Sequence, residues 1–220
     1  MSTKANAPIV TWDRHRMQQD GRGITTLVCF HSCTLRCRYC LNPFALSPDT
    51  KVKLMTPQQL YERVRIDDLY FVSTGGGVTF GGGEPLLYPD FIVQFRQLCG
   101  KRWHICAETA LNVPWENVEK AAQSVDVFYI DCKDMNPEIY RNYTGTDNGR
   151  FAENLQRLIK CIPPEQIVVR LPLIPGFNTE ADRDRSKAQL AALGITNFDL
   201  FTYITDVQAH RNKGKNGNLY

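Results

Sequence analysis

The alternation of short apolar runs with helical segments is the property of this 220-residue chain that most narrows its fold. Ile24-Thr25-Thr26-Leu27-Val28-Cys29-Phe30 is rich in β-branched and apolar residues and reads as a strand. Thr56 reads as an N-cap with Pro57 at the first helical position, opening a helix that runs to about Asp67. A short strand between two glycine triplets follows, at about residues 78–80. The pattern then repeats: helix about 88–98, strand about 103–107, helix about 114–122, strand about 125–131, helical segments about 137–160, strand about 166–171, helix about 179–192 and strand about 197–202. Only the last strand lacks a following helix. Helical connections imply parallel strands joined by right-handed crossovers, with the helices covering the outer face. Six units are too few for a closed eight-stranded barrel, so the expected fold is α/β, an open partial (β/α)6 barrel, with a doubly wound sheet as the competing arrangement. In either, a site belongs at the carboxyl ends of the strands.

One domain is expected over residues 20–205, preceded by an irregular segment, 1–19, and followed by a flexible tail, 206–220. The 26 Lys and Arg stand against 23 Asp and Glu, and three of the basic residues, Arg211, Lys213 and Lys215, fall within 207–220. The remainder is therefore charge-balanced, which argues against nucleic acid as a partner. No apolar run approaches the roughly 20 residues that cross a bilayer, and the first residues carry no apolar signal stretch, so no membrane association and a cytoplasmic location are expected.

Three thiols, Cys33, Cys37 and Cys40, fall in one short loop just after the first strand. A structural zinc site wants four closed ligands, whereas three cysteines on a four-iron cluster leave one iron open for chemistry. The alternative is a zinc loop that borrows Cys29, although Cys29 belongs to the strand and should point into the core. Cys99, Cys106, Cys132 and Cys161 are scattered and read as small buried apolar residues. His15, His31, His104 and His210 show no ligand spacing.

Gly75-Gly76-Gly77-Val78-Thr79-Phe80-Gly81-Gly82-Gly83-Glu84-Pro85 is unusual for a central strand, which has no use for so much glycine unless something approaches its backbone. Backbone groups exposed there could hold a small amino-acid-like ligand. Later strands end at Glu108-Thr109 and at Asp131, with Lys133 two residues on, and the fifth carries Arg170. An acid and an ammonium on an apolar strand need a partner or ligand. All these strand ends converge on one mouth.

The cysteine spacing with Tyr39 before the last cysteine, together with Gly82-Gly83-Glu84-Pro85, resembles the radical S-adenosylmethionine (SAM) superfamily. Within it the chain is similar to the glycyl-radical-enzyme activating enzymes of the pyruvate formate-lyase activase type. Asp20-Gly21-Arg22-Gly23-Ile24, Cys40-Leu41-Asn42-Pro43, Asp131-Cys132-Lys133 and Arg170-Leu171-Pro172-Leu173-Ile174-Pro175-Gly176 carry the resemblance over about residues 20–203. It implies a [4Fe-4S] cluster on Cys33, Cys37 and Cys40, and SAM, with Tyr39 packing over the cluster or the adenine. Gly82, Gly83 and Glu84 would hold the methionine amino end. Glu108, Thr109, Asp131 and the Tyr129 carbonyl would surround a monovalent cation, and Lys133 and Arg170 would face SAM or the incoming glycine. The implied activity is reductive cleavage of SAM to place a glycyl radical on a partner enzyme, under anaerobic conditions, with a flavodoxin- or ferredoxin-type reductant. The chain departs from the family at Arg22, at Thr25 and Thr26, at Leu41, at Glu108 and at Ile204, and carries no ferredoxin-like insertion. Radical SAM chemistry directly on another peptide or small molecule, and a zinc-binding protein without radical chemistry, are the other readings.

Overall fold

In a computed structural model, which describes residues 5–204, the chain forms one eight-stranded sheet with helices along it. Six strands run parallel: β2 (Ile24–Phe30), β4 (Gly77–Gly82), β5 (His104–Thr109), β6 (Val127–Asp131), β7 (Ile167–Leu173) and β8 (Phe198–Thr202). They sit side by side in chain order. Each crossover therefore steps in the same direction, and right-handed crossovers then put every helix on one face. A doubly wound sheet would reverse its strand order, so it is excluded, and the sheet remains open.

Two further strands extend the β2 edge. β1 (Ala7–Met17) pairs antiparallel with β2, and β3 (Lys53–Met55) pairs antiparallel with β1. β1 corrects the irregular segment expected before residue 20. Its charged run, Asp13-Arg14-His15-Arg16, hides the apolar alternation, and its register shifts between Asp13 and Arg16, where His15 takes φ +59°. A bulged strand with irregular side-chain alternation carries no period-two signature. The Asp67 carboxylate holds it in place. It accepts two bonds from the Arg14 guanidinium, each 2.6 Å, and lies 2.9 Å from His15 Nε2, at the junction that follows α1 (Pro57–Val64).

The remaining helices are α2 (Asp68–Thr74), α3 (Pro89–Cys99), α4 (Trp115–Ala122), α5 (Pro137–Thr144), α6 (Gly149–Cys161) and α7 (Glu180–Ala192). Capping boxes start α1 at Thr56 and α7 at Thr179, as side-chain oxygens satisfy otherwise unpaired amides. Alternation sorts the strand residues. Phe30, Phe80, Ile105, Phe128, Ile130 and Val169 are fully buried in the core, where Phe30, Phe80, Phe91, Phe95 and Trp103 pack ring against ring. Their alternate neighbours, among them Leu27, Cys29, Glu108, Arg170 and Phe201, line the concave face. Cys99, Cys106 and Cys132 are buried as expected, whereas Cys161, the last residue of α6, is exposed because its helix turns that position toward solvent. The expected tail, 206–220, lies outside the described residues. No helix among the described residues is long and apolar enough to cross a membrane.

Candidate functional site

Cys33, Cys37 and Cys40 occupy the loop that leaves the carboxyl end of β2, and all three line one inner cavity of about 130 Å3. The loop is held from three sides. Ser32 N–H donates to Ala45 O (2.8 Å), Arg36 and Arg38 N–H donate to Thr144 and Tyr143 O at the end of α5 (2.9 and 3.0 Å), and Asn42 Nδ2 donates to Gly82 O (3.2 Å). His31 ties Ser32 Oγ and Ser47 O, each at 3.0 Å, an ordinary polar role. Burial pushes the Cys33 thiol up to about 12 and raises Cys37 as well, Lys133 opposing the shift at Cys37. Thiols in that state hold metal only by giving up their protons. Among the described residues no three His, Cys, Asp or Glu side chains converge to hold a single metal ion. Three soft thiol donors sharing one cavity fit a multi-iron cluster, whose ligands stand wider apart than those of one ion. Cys29 is buried within β2, but its side chain lies on the concave face with Leu27 and not in the core expected of it.

The end of β4 closes against this loop so tightly that only glycine fits. A Cβ on Gly83 would stand 2.1 Å from Ser32 O, and one on Gly82, whose φ is +83°, would stand 2.5 Å from Cys29 Cβ. What approaches the glycine backbone is thus the cluster loop and β2. Glu84 follows, 1% exposed: Thr109 Oγ1 donates to it at 2.6 Å, Ala110 N–H at 2.9 Å and Leu86 N–H at 3.1 Å. Burial pushes its carboxyl up to about 7 against those bonds. Its side chain welds the end of β4 to the end of β5.

Across the cavity runs a chain of charges from β5 to β8. Arg170 on β7 reaches Glu108 on β5 at 2.6 Å, and lies 3.9 Å from Asp131 on β6 and 3.8 Å from Asp199 on β8. Asp131 and Arg170 are register partners, as are Arg170 and Asp199. Lys133 donates to Asp131 (3.0 Å) and to Tyr203 Oη (3.3 Å). Burial raises the Glu108 carboxyl although Arg170 opposes it. At Asp131 burial acts in the same direction, but Lys133 and Arg170 outweigh it and hold the carboxyl below its usual range. Burial would lower Lys133, yet Asp131 and Tyr203 hold its ammonium well above the ordinary value.

The inner cavity thus gathers all the expected site residues except Thr109, which packs behind it, Tyr129 and Tyr39. The Tyr39 ring packs edge-on against Tyr143 and Phe177, 6.2 and 5.5 Å between centroids, on the side of the loop toward α5. The groups expected around a monovalent cation have other partners. Glu108 is engaged by Arg170, and the Thr109 hydroxyl is committed to Glu84 and to Leu111 N–H (2.9 Å). The residues present therefore do not fit such a cation beside Glu108. A larger cleft of about 720 Å3 opens next to the cavity, walled by Trp12, Asp13 and Arg16 of β1 and by Asp199 and Phe201 of β8, with Glu108 and Arg170 shared between the two. Sequence reasoning missed these walls and Tyr203. The alternation Asp199, Phe201, Tyr203 along β8 and beyond was the available signal for three of them. Asp20 lines the cleft, whereas Arg22 lies in a separate depression with Met17 and Thr74. Ile204 is 65% exposed and lines neither space.

Residues 27–185 match the family model described as the Radical SAM superfamily. The (2S)-3-sulfopropanediol dehydratase activating enzyme of Klebsiella oxytoca is 34% identical over 175 residues, covering 77% of this chain and 53% of that one. The pyruvate formate-lyase-activating enzyme of Clostridium pasteurianum is 35% identical over 172 residues, covering 78% and 71%. Streptococcus suis SuiB bound to S-adenosylmethionine shares the fold with a TM-score of 0.61 at 14% identity, over 82% of this chain and 43% of that one. The chain spans about half the length of the first of these curated relatives.

Proposed function

The chain belongs to the radical SAM superfamily, and from that membership we propose that it cleaves SAM reductively to place a glycyl radical on a partner enzyme. The observation that carries the reading is the sharing of one cavity by three loop cysteines, the glycine end of β4 and the Asp131–Lys133–Arg170 charges. Relatives named as activating enzymes, of a sulfopropanediol dehydratase and of pyruvate formate-lyase, support the reaction class.

Cys33, Cys37 and Cys40 are the residues to hold the cluster. When bound, a [4Fe-4S] cluster supplies the single electron that breaks a carbon–sulfur bond of SAM. This chain's own residues bind and orient. The Gly82 and Gly83 backbone, kept in line by the buried Glu84, lines the cavity where the methionine amino end is held. Lys133 and Arg170 offer positive charge to its carboxylate, and Asp131 and Glu108 keep those cations in place. Leu41, Phe201 and Tyr203 at the cavity rim limit water, which strengthens each of these interactions. The larger cleft, continuous with the cavity through Glu108 and Arg170, takes the partner's glycine-bearing segment, whose α-carbon gives up the hydrogen atom. The electron source in an anaerobic cytoplasm is a flavodoxin- or ferredoxin-type protein.

The test is anaerobic reconstitution with iron and sulfide, reduction with dithionite, and incubation with SAM and candidate partners. The expected result is 5′-deoxyadenosine together with a glycyl radical signal on one partner. Brisk 5′-deoxyadenosine release with no radical on any partner overturns the partner assignment. A colourless protein with stoichiometric zinc overturns the whole reading. Cys37→Ala is expected to abolish cluster retention and SAM cleavage together.

A further inference from the structure

Among the described residues four buried side-chain atoms have no hydrogen-bond partner: Thr26 Oγ1, Thr34 Oγ1, Arg183 Nε and Tyr140 Oη. Thr26 sits in the amino-terminal half of β2 and Arg183 on α7, while Thr34 belongs to a half-buried residue of the cysteine loop. Tyr140 is 0% exposed, and its ring is stacked on Phe151 of α6 with 6.1 Å between centroids. A phenol oxygen lies on the axis about which its ring turns, so no rotation of the ring carries the hydroxyl to another partner. Three other tyrosines beside the cysteine loop are satisfied. Tyr88 Oη donates to His31 O (3.0 Å), Tyr143 Oη donates to Tyr39 O (3.5 Å), and Tyr203 Oη accepts from Lys133 (3.3 Å). A buried hydroxyl without a partner has given up its bonds to water for nothing, and it calls for an acceptor.

Tyr140 stands where α5 meets the cysteine loop. Tyr140, Tyr143 and Thr144 are buried on α5, at the spacing that puts them on one helix face. The carbonyls of Thr144 and Tyr143 accept from the N–H groups of Arg36 and Arg38, the residues on either side of Cys37, so Cys37 lies against the turn that Tyr140 begins. Burial raises the Tyr140 phenol above its ordinary value. Lys133 opposes that shift, and Cys37, Cys132 and Glu84 add to it, so the hydroxyl is close enough to feel three residues of the cavity wall, Cys37, Lys133 and Glu84. Lys133 is committed to Asp131 and Tyr203, and the Glu84 carboxylate to Thr109, Ala110 and Leu86. Burial keeps Cys132 a protonated thiol, which is a weak acceptor. Cys33 Sγ accepts from Leu35 N–H (3.4 Å). The sulfur left for the Tyr140 hydroxyl is that of Cys37.

We propose that Tyr140 is a positioning residue for the cluster: its hydroxyl donates to Cys37 Sγ once that sulfur is a thiolate ligand, and the bond sets the potential at which the cluster takes up its electron. The inference rests on the reading that Cys33, Cys37 and Cys40 hold the cluster. Ligation removes the Cys37 proton and turns a weak acceptor into a charged one, so a bond that is feeble to the thiol becomes strong to the ligand. Reduction adds negative charge to the cluster and its sulfurs. The donor therefore stabilises the reduced state more than the oxidised one and raises the potential. The unpaired hydroxyl weighs on the metal-free protein and not on the loaded one. The bond itself transfers neither proton nor electron.

The test compares the parent with Tyr140→Phe, which removes the hydroxyl and keeps the ring against Phe151. With the cluster loaded, the midpoint potential is read by redox titration followed by electron paramagnetic resonance. Tyr140→Phe is expected to keep the iron and sulfide content of the parent and to disfavour reduction by about three- to tenfold, tenfold being about 59 mV for one electron. Tyr143→Phe is the control, because the Tyr143 hydroxyl already has Tyr39 O. It is expected to leave the midpoint where it is. Without the cluster, thermal melts read the other half: Tyr140→Phe is expected to unfold no more easily than the parent, because it discards an unpaired group. An unchanged midpoint in Tyr140→Phe, or one lowered equally in Tyr143→Phe, overturns the proposal. So does loss of the cluster, which one hydrogen bond does not hold in place. A metal-free Tyr140→Phe that melts below the parent overturns it as well, since the hydroxyl then has a partner of its own. Failure of the underlying reading looks different: neither protein takes up a cluster, and no signal appears on reduction.

Discussion

The Arg170 guanidinium on β7 lies 2.6 Å from the Glu108 carboxylate on β5, reaching across β6. Both side chains are about 15% exposed, so each is the other's main compensation for leaving water. Removing the acid strands the cation. Glu108→Ala is expected to cost about 2–4 kcal/mol in urea unfolding, and Arg170→Met a similar amount because it strands the Glu108 carboxylate in turn. A double variant whose cost equals the sum of the two single costs would show that the pair is not coupled.

Asp131 meets Lys133 at 3.0 Å and faces Arg170 at 3.9 Å. Asp131→Ala frees both cations from their partner and is expected to weaken SAM binding about tenfold or more, while iron and sulfide content stays at the parent level. Equilibrium dialysis with labelled SAM reads the first and metal analysis the second. Unchanged affinity would remove Asp131 from the site.

Gly83 tests the tightness of the seam between β4 and the cysteine loop. Its φ needs no glycine, but its Cβ position falls 2.1 Å from Ser32 O, a backbone atom that cannot swing away. Gly83→Ala is expected to destabilise the fold by about 3 kcal/mol and to lower cluster retention with it. Gly100→Ala is the comparison. Nothing lies within 4 Å there and only the φ of +58° is strained, so a cost of about 1 kcal/mol is expected.

Asp67 supplies a pH dependence. Burial raises its carboxyl, but bonds from Arg14 and His15 prevail and hold it below the ordinary value. A carboxyl depressed in the folded state contributes stability that is complete above its unfolded pKa and is lost as pH falls through the folded one. Stability should therefore drop below about pH 4. Asp67→Asn is expected to lower stability at pH 7 by about 1–2 kcal/mol and to flatten that acid limb. An unaltered limb in thermal melts from pH 3 to 7 would assign the acid sensitivity to other carboxyls.

Much of the architecture was legible because parallel strands and amphipathic helices write regular periods, and the order β2-β4-β5-β6-β7-β8 follows from one-way right-handed crossovers. The cysteine triplet and the Gly82–Glu84 run were legible because their spacing is local. β1 was not, since its charges face a cleft and the Asp67 carboxylate rather than alternating with core residues. Tyr39 illustrates the same limit: its place beside Cys40 is local, but which neighbour takes its ring depends on α5 lying against the loop.

The sequence by itself determined the strand-helix alternation, the clustering of three thiols and the family, all of which depend on residue type and short-range spacing. Only the tertiary structure decided where the charges go. Glu108 and Arg170 are 62 positions apart, and Lys133 meets Tyr203 from 70 positions away. Whether such groups meet is set by the register of the sheet and the docking of helices, which no local pattern encodes.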